Sequence, residues 1–375
     1  QASGAKDFLE FATNLKPLKG FIRVTGTEGA NILSDGKQVA TIPSTIELLA
    51  KAQTLSVQKE GYVTQEISIQ PTPGYEQNLK IRLLTPEEAV LAAMPTTIKT
   101  SQGLQMRLVS PGIFVMGAPR KDQGRRANET ERLIQITRPF YVGVREIINK
   151  EFRQFEPRHT SGAETFRELS NGLHPAVMLT WEDAVDFCQQ LSYRESLELA
   201  YEKINDQYQL IQPVTNGYRL LTEAEWEWLA RFNGGAGKQR YPWGESMPVA
   251  TESGNYADES GEGLIANVLT NYWDGYPVTS PAAKFNPSPL GIYDLGGNVA
   301  EWVNDYYSVY PTNLNQVELD PLGPGEGTAR VIRGSSWRHS SISSLRFTYR
   351  DYGTLGRLDV GFRIARYTDT SNIDE

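Results

Sequence analysis

The sequence predicts an α+β chain in two parts: a small all-β sandwich, then a larger irregular α+β domain low in regular secondary structure. Three observations carry this. The chain has 375 residues, more than one ordinary core organises. Residues 19–84 run as alternating or β-branched stretches between turn signals, with no helical period. Beyond about residue 232 the sequence is mostly Gly, Pro, Asn and aromatic residues with neither period. A compact domain keeps loops that long where they are functional or held by something. Hydrophobic residues at 39% and charged residues at 22% mark the chain as globular. A net charge of −8 lacks the basic footprint of a nucleic-acid binder. No run of about eighteen apolar residues is present to span a membrane. The chain opens on Gln1 without a signal-peptide pattern, which leads us to expect a mature or trimmed form. The one cysteine, Cys188, rules out an internal disulfide and a cysteine-based zinc site.

The elements follow in order. Asn14-Leu15-Lys16 repeats Asn78-Leu79-Lys80, so residues 1–18 read either as the end of a truncated upstream β-module or as a chance tripeptide. In 19–84, residues 21–26, 53–63 and 79–84 read as strands. Gly29 and Gly36 permit tight turns, and Gly61 permits positive φ before a packed Tyr62. Residues 85–102 read as a helical connector, opened by Thr85 and the acids Glu87 and Glu88. From 103 to 367 comes the larger domain. Residues 109–118 and 131–147 are strand-like. Thr180 with Asp183 and Thr222 with Glu225 mark two helix starts as capping boxes. Ala184, Phe187, Cys188 and Leu191 form an apolar stripe on the first helix, which makes Cys188 a core thiol; Trp226, Leu229 and Ala230 face inward on the second. Residues 368–375 form a tail.

Residues 291–302, GIYDLGGNVAEW, set Asp294 and Glu301 seven residues apart among glycines and apolar side chains. Calcium takes six to eight oxygens, mixing carboxylates with carbonyls, and needs glycine where the chain curls. The alternative is a turn capped by Asp294 and an ion pair from Glu301 to an arginine. Two resemblances enter here. Thr27-Glu28-Gly29-Ala30, Asp35-Gly36, Ile42-Pro43 and Lys59-Glu60-Gly61-Tyr62 resemble the PEGA domain, a small bacterial β-module of envelope and extracytoplasmic proteins. Eight ordered segments between 103 and 367 resemble the formylglycine-generating enzyme, or sulfatase-modifying factor, family. Among them are Arg138-Pro139-Phe140-Tyr141-Val142-Gly143, His174-Pro175-Ala176-Val177, Tyr218 through Glu227, Tyr241-Pro242-Trp243-Gly244, the 291–302 segment, Arg333-Gly334-Ser335-Ser336-Trp337 and Gly361-Phe362-Arg363. This resemblance implies an irregular relative of the C-type lectin fold. It implies one calcium site at the Asp294 side chain, the Gly297 and Val299 carbonyls and the Glu301 side chain. It implies a second at the Asn255 side chain, the Tyr256 carbonyl, the Asp274 side chain and the Tyr276 carbonyl.

The same resemblance argues against the family's oxidase chemistry. Its copper enzymes use two cysteines after the Arg-Gly-Gly-Ser motif, since Cu(I) is soft. Those positions hold His339 and Ser344 here. Its iron branch needs a histidine cluster, and this chain has only His159, His174 and His339. We therefore expect structural Ca2+, no copper or iron, and no catalytic residue. Glu225, Glu227, Asp294 and Glu301 offer carboxylates for glycoside hydrolysis, but the calcium reading uses two of them. Trp337, Arg338, His339, Ser344, Arg346 and Tyr352 are expected to form a ligand or partner face, because aromatic and arginine side chains dominate binding hot spots; the competing reading puts the aromatics in the core. The sequence thus reads as a non-catalytic binding or scaffolding protein of the bacterial envelope or exterior. Its partner would be a protein or glycan, not a nucleic acid, with the β-module as a spacer or assembly contact. The rival reading is a divergent protein- or peptide-modifying enzyme.

Overall fold

The computed structural model describes residues 18–232 and 238–368. The Asn14–Lys16 echo and the tail beyond Thr368 fall outside the described residues. The chain divides into two compact units, Gln1–Met94 and Pro95–Glu375.

In the first unit the period-2 pattern becomes two sheets. One orders the strands Ser44–Leu49, Lys19–Gly26 and Glu76–Ile81; the other orders Lys37–Thr41, Asn31–Ser34, Gln53–Gln58 and Gln65–Ile69. Strand Lys19–Gly26 alternates from Lys19 to Val24, turning Ile22 and Val24 into a core shared with Ile32, Ile46, Leu55, Val57 and Ile81. It runs parallel to Glu76–Ile81, with Gly26 opposite Ile81. Gly26 sits at φ 132°, and a Cβ there would lie 1.6 Å from the Ile81 carbonyl oxygen, so only glycine fits. Gly29, Gly36 and Gly61 all adopt positive φ. Helix Pro86–Ala93 carries the Thr85/Glu88 capping box. The connector expected over 85–102 is shorter than that. Strand Thr97–Lys99 pairs with Gln105–Val109 and already belongs to the second unit.

The second unit is strand-rich with few helices. A five-stranded sheet runs Arg219–Leu220, Ile364–Tyr367, Phe140–Gly143, Gln105–Val109, Thr97–Lys99. A four-stranded sheet runs Arg350–Gly353, Arg330–Arg333, Ala300–Tyr306, Val360–Phe362. The run expected as one strand over 131–147 is two, Arg132–Ile136 and Phe140–Gly143. Pro139 lies between them and has no N–H to continue a ladder. Helix Trp181–Arg194 starts at the predicted box: the Thr180 hydroxyl accepts the Asp183 N–H at 3.1 Å, and the Asp183 carboxylate accepts the Thr180 N–H at 2.8 Å. Its inward face includes Ala184, Phe187, Cys188 and Leu191. Burial pushes the Cys188 thiol far up, so it stays protonated and inert. Helix Glu223–Phe232 has the Thr222/Glu225 box. It is buried on every side from Glu223 to Arg231, charged residues included.

Candidate functional site

The buried charges of helix Glu223–Phe232 are neutralised by arginines from the helix itself, from the strand just before it and from two distant strands. Arg333 donates to Glu223 at 2.8 Å and to Glu227 at 2.7 Å. Arg350 grips Glu223 at 2.6 and 2.8 Å. Arg219 forks onto Glu225 with two 2.7 Å bonds, and Arg231 pairs with Glu227. Burial alone would raise the Glu223 carboxyl, but Arg350 and Arg333 hold it down at about 2. These carboxylates are bound fast and sealed from solvent. Glu225 and Glu227 are therefore not available as the acid and base of a glycosidase.

The 291–302 loop packs directly on the segment carrying Asn255 and Tyr256. The Asn298 N–H donates to the Asn255 carbonyl at 2.8 Å, and the Tyr256 hydroxyl donates to the Gly296 carbonyl at 3.0 Å. Gly297 adopts φ 102°, and a Cβ there would meet the Asn255 carbonyl at 2.9 Å. The glycines thus serve close backbone approach between the two expected calcium loops. Asn255 is fully buried, its amide donates to the Val278 carbonyl at 2.7 Å, and its Oδ1 has no hydrogen-bond partner. Asp274 accepts the Tyr256 and Tyr276 N–H groups at 2.9 and 2.8 Å. Even so, burial pushes its carboxyl up to about 7.

Glu301 departs from the expected ligand role. Both of its oxygens accept from Arg363, and Oε2 also accepts the Trp226 indole N–H at 2.9 Å. This is the ion pair the sequence left open, and it leaves no free lone pair aimed at an ion. What the sequence missed is Glu146. It is fully buried, both its carboxyl oxygens lack a donor, and it faces Asp294 closely enough for the two to share a hydrogen bond if one is protonated. Burial and then the Asp294 charge push Glu146 well up, and burial pushes Asp294 to about 6. Asp294 also accepts the Ala283 N–H at 2.6 Å and lines a cleft of about 290 Å³ with Gln239, Trp243, Ser253 and Phe347. Among the described residues no group of three or more His, Cys, Asp and Glu could hold a metal ion. A cation here would need carbonyl and amide oxygens beside Asp294 and Glu146. The only sequence signal for Glu146 was an acid isolated among Val144, Ile147 and Ile148.

The expected partner face is mostly interior. Trp337 is 1% exposed and packs with Leu169, Val177, Val278 and Val299. Arg346 is 1% exposed and pairs with Glu129 at 2.5 Å, while Ser344 is buried against Ser341, their hydroxyls 2.7 Å apart. These three are corrected from surface to core: in this irregular domain Arg346 is neutralised internally and Trp337 fills a void between loops. Arg338 and Tyr352 are exposed, the latter stacked on Tyr307 at 4.3 Å. His339 is half-buried. Its Nδ1 accepts the Ser336 N–H at 3.0 Å, which places the proton of the neutral ring on Nε2, and burial lowers its pKa.

Residues 92–368 match the family described as the sulfatase-modifying factor enzyme 1-like domain. The chain belongs to this family. Its relatives include a formylglycine-generating enzyme from Thermomonospora curvata, 34% identical over 166 residues, 44% of this chain and 45% of that protein. The chain spans about half the length of the formylglycine-generating enzymes it matches first. A chaperone protein LppX from Paenibacillus barcinonensis is 27% identical over 310 residues, 76% of this chain and 98% of that protein. The solved structure of Treponema denticola variable protein 1 superposes with a TM-score of 0.58 at 21% identity, covering 73% of this chain and all of that one. The sulfatase-modifying factor assignment begins at 92, beyond the first unit's sheets, so the β-module stands outside it.

Proposed function

We propose that this chain is a non-catalytic, calcium-stabilised member of the sulfatase-modifying factor family that binds a protein or glycan partner outside the cytoplasm of a bacterium. The observation that carries this reading is the pair His339 and Ser344, which replaces the two thiolates of the family's copper enzymes. The imidazole is engaged by Ser336, the hydroxyl by Ser341, and the chain's one thiol is shut inside a helix face. A binding role is also supported by the LppX relative, named a chaperone, of which this chain spans nearly the whole length. That relative and the PEGA-like β-module motivate the envelope location.

Calcium is proposed at the 291–302 loop, with Asp294, the Gly297 and Val299 carbonyls and the unpaired Glu146 as its oxygens and Glu301 holding Arg363 alongside. Asn255, Tyr256, Asp274 and Tyr276 form the proposed second site. Two buried carboxyls that share only the Arg363 guanidinium, itself already paired with Glu301, and an unpaired Asn255 Oδ1, are the features that a hard cation would satisfy. The second reading is the divergent protein- or peptide-modifying enzyme, favoured by relatives named formylglycine-generating enzyme above 30% identity. Elemental analysis of the purified protein separates the two. Calcium without stoichiometric copper or iron is expected, and either transition metal at one equivalent would support the enzyme.

A further inference from the structure

Arg330 is the exception among the buried arginines. Every other buried arginine among the described residues pairs with a carboxylate, such as Arg333 with Glu223 and Glu227 or Arg363 with Glu301. Arg330 is 9% exposed and pairs with none. Its guanidinium is clamped between two rings, 3.5 Å from the centre of Trp181 and 3.4 Å from that of Tyr306. It donates to the Asn304 carbonyl at 2.8 Å and the Tyr208 carbonyl at 3.3 Å. A guanidinium carries five N–H donors, so these two bonds leave donors over. The residue lines a recess of about 160 Å³ with Trp181, Tyr208 and Tyr306, and the exposed acids Glu182 and Asp206 line it too.

A flat guanidinium held in place by stacking and lacking a carboxylate is matched to a planar oxyanion with two oxygens. The two acids make a dianion such as phosphate or sulfate a poor occupant, because like charges repel it. They favour a ligand that carries a cation next to its carboxylate. We propose that this recess binds a small α-amino acid, its carboxylate on Arg330 and its ammonium toward Glu182 and Asp206. The recess is unrelated to the 291–302 loop and to His339 and Ser344. Its volume suits a side chain no larger than a few carbons.

Calorimetric titration of the full chain with glycine, L-alanine and L-leucine tests this, with acetate, methylamine and sodium sulfate as controls. Saturable binding of glycine or alanine, tighter than acetate or methylamine and absent for sulfate, is expected. Arg330→Lys keeps the charge but loses the fork and should weaken binding about tenfold or more, as for a hydrogen bond to a charged group. Glu182→Gln is exposed, leaves the fold alone and should weaken binding roughly two- to fivefold, as for a rim charge. If Arg330→Lys does not fold, Glu182→Gln decides. No saturable binding of any amino acid, sulfate binding as tightly as glycine, or unchanged affinity in Glu182→Gln would each overturn the proposal.

Discussion

At the residue scale, a cluster of charges forms part of the interior of this protein. Glu223, Glu225, Glu227, Arg219, Arg231 and Arg333 are each 2% exposed or less. Arg219 with Glu225 and Arg231 with Glu227 are near neighbours in the chain, but what seals the cluster is Arg333, which reaches Glu223 and Glu227 from about a hundred residues away and is not legible in the sequence. Removing one member of such a network leaves an uncompensated buried charge. Arg333→Met should therefore cost about 3–5 kcal/mol in denaturant unfolding, and a loss below about 1 kcal/mol would mean that the network is not sealed as described. Asp305 is the opposite case. It is buried, accepts the Glu223 N–H at 2.8 Å and has no arginine fork, so burial pushes its carboxyl up to about 7. An acid with a raised folded-state pKa contributes stability at low pH that is lost as pH climbs, here from about 4 to about 7. Asp305→Asn cannot titrate, so its melting temperature should rise relative to the unmodified chain between pH 5 and pH 8. A difference constant across that range would contradict the assignment.

At the element scale, the local signals were legible and the long-range ones were not. The Thr180 and Thr222 capping boxes place two helix starts because capping is a matter of adjacent residues. The strand-like run over 131–147 hid its break at Pro139. The 291–302 loop was legible as a tight glycine curl holding acids. The pairing of Glu301 with an arginine was one of two readings left open; that Glu146 faces Asp294 was not legible, since Glu146 arrives from another part of the chain. The loop carries the calcium prediction. Two buried carboxyls stabilise the fold only when a cation or a proton joins them, and a ligand bound by the folded state alone raises the melting temperature. Chelation should lower the melting temperature, and Asp294→Ala or Glu146→Gln should abolish that response. An unchanged melting curve in excess chelator would remove calcium from the account.

At the whole-molecule scale, a β-module and a domain of the sulfatase-modifying factor family form two compact units. The expected contact face shrinks to Arg338, His339 and Tyr352 once Trp337, Ser344 and Arg346 are seen to be interior. Arg338 and Tyr352 are exposed, each resting on a single aromatic ring, Trp337 and Tyr307 respectively. Arg338→Ala combined with Tyr352→Ala should keep the melting temperature and weaken capture of a partner, by about 2 kcal/mol or more if either is an anchor. Full capture by that double variant would place the face elsewhere. The central claim is that His339 and Ser344 leave the domain without the family's thiol oxidation. It is tested most directly by mass spectrometry of a cysteine-containing sulfatase peptide incubated with the purified chain, oxygen, a thiol reductant and copper. The peptide should come through with its cysteine intact, whereas a copper-dependent aldehyde at that cysteine would contradict the account.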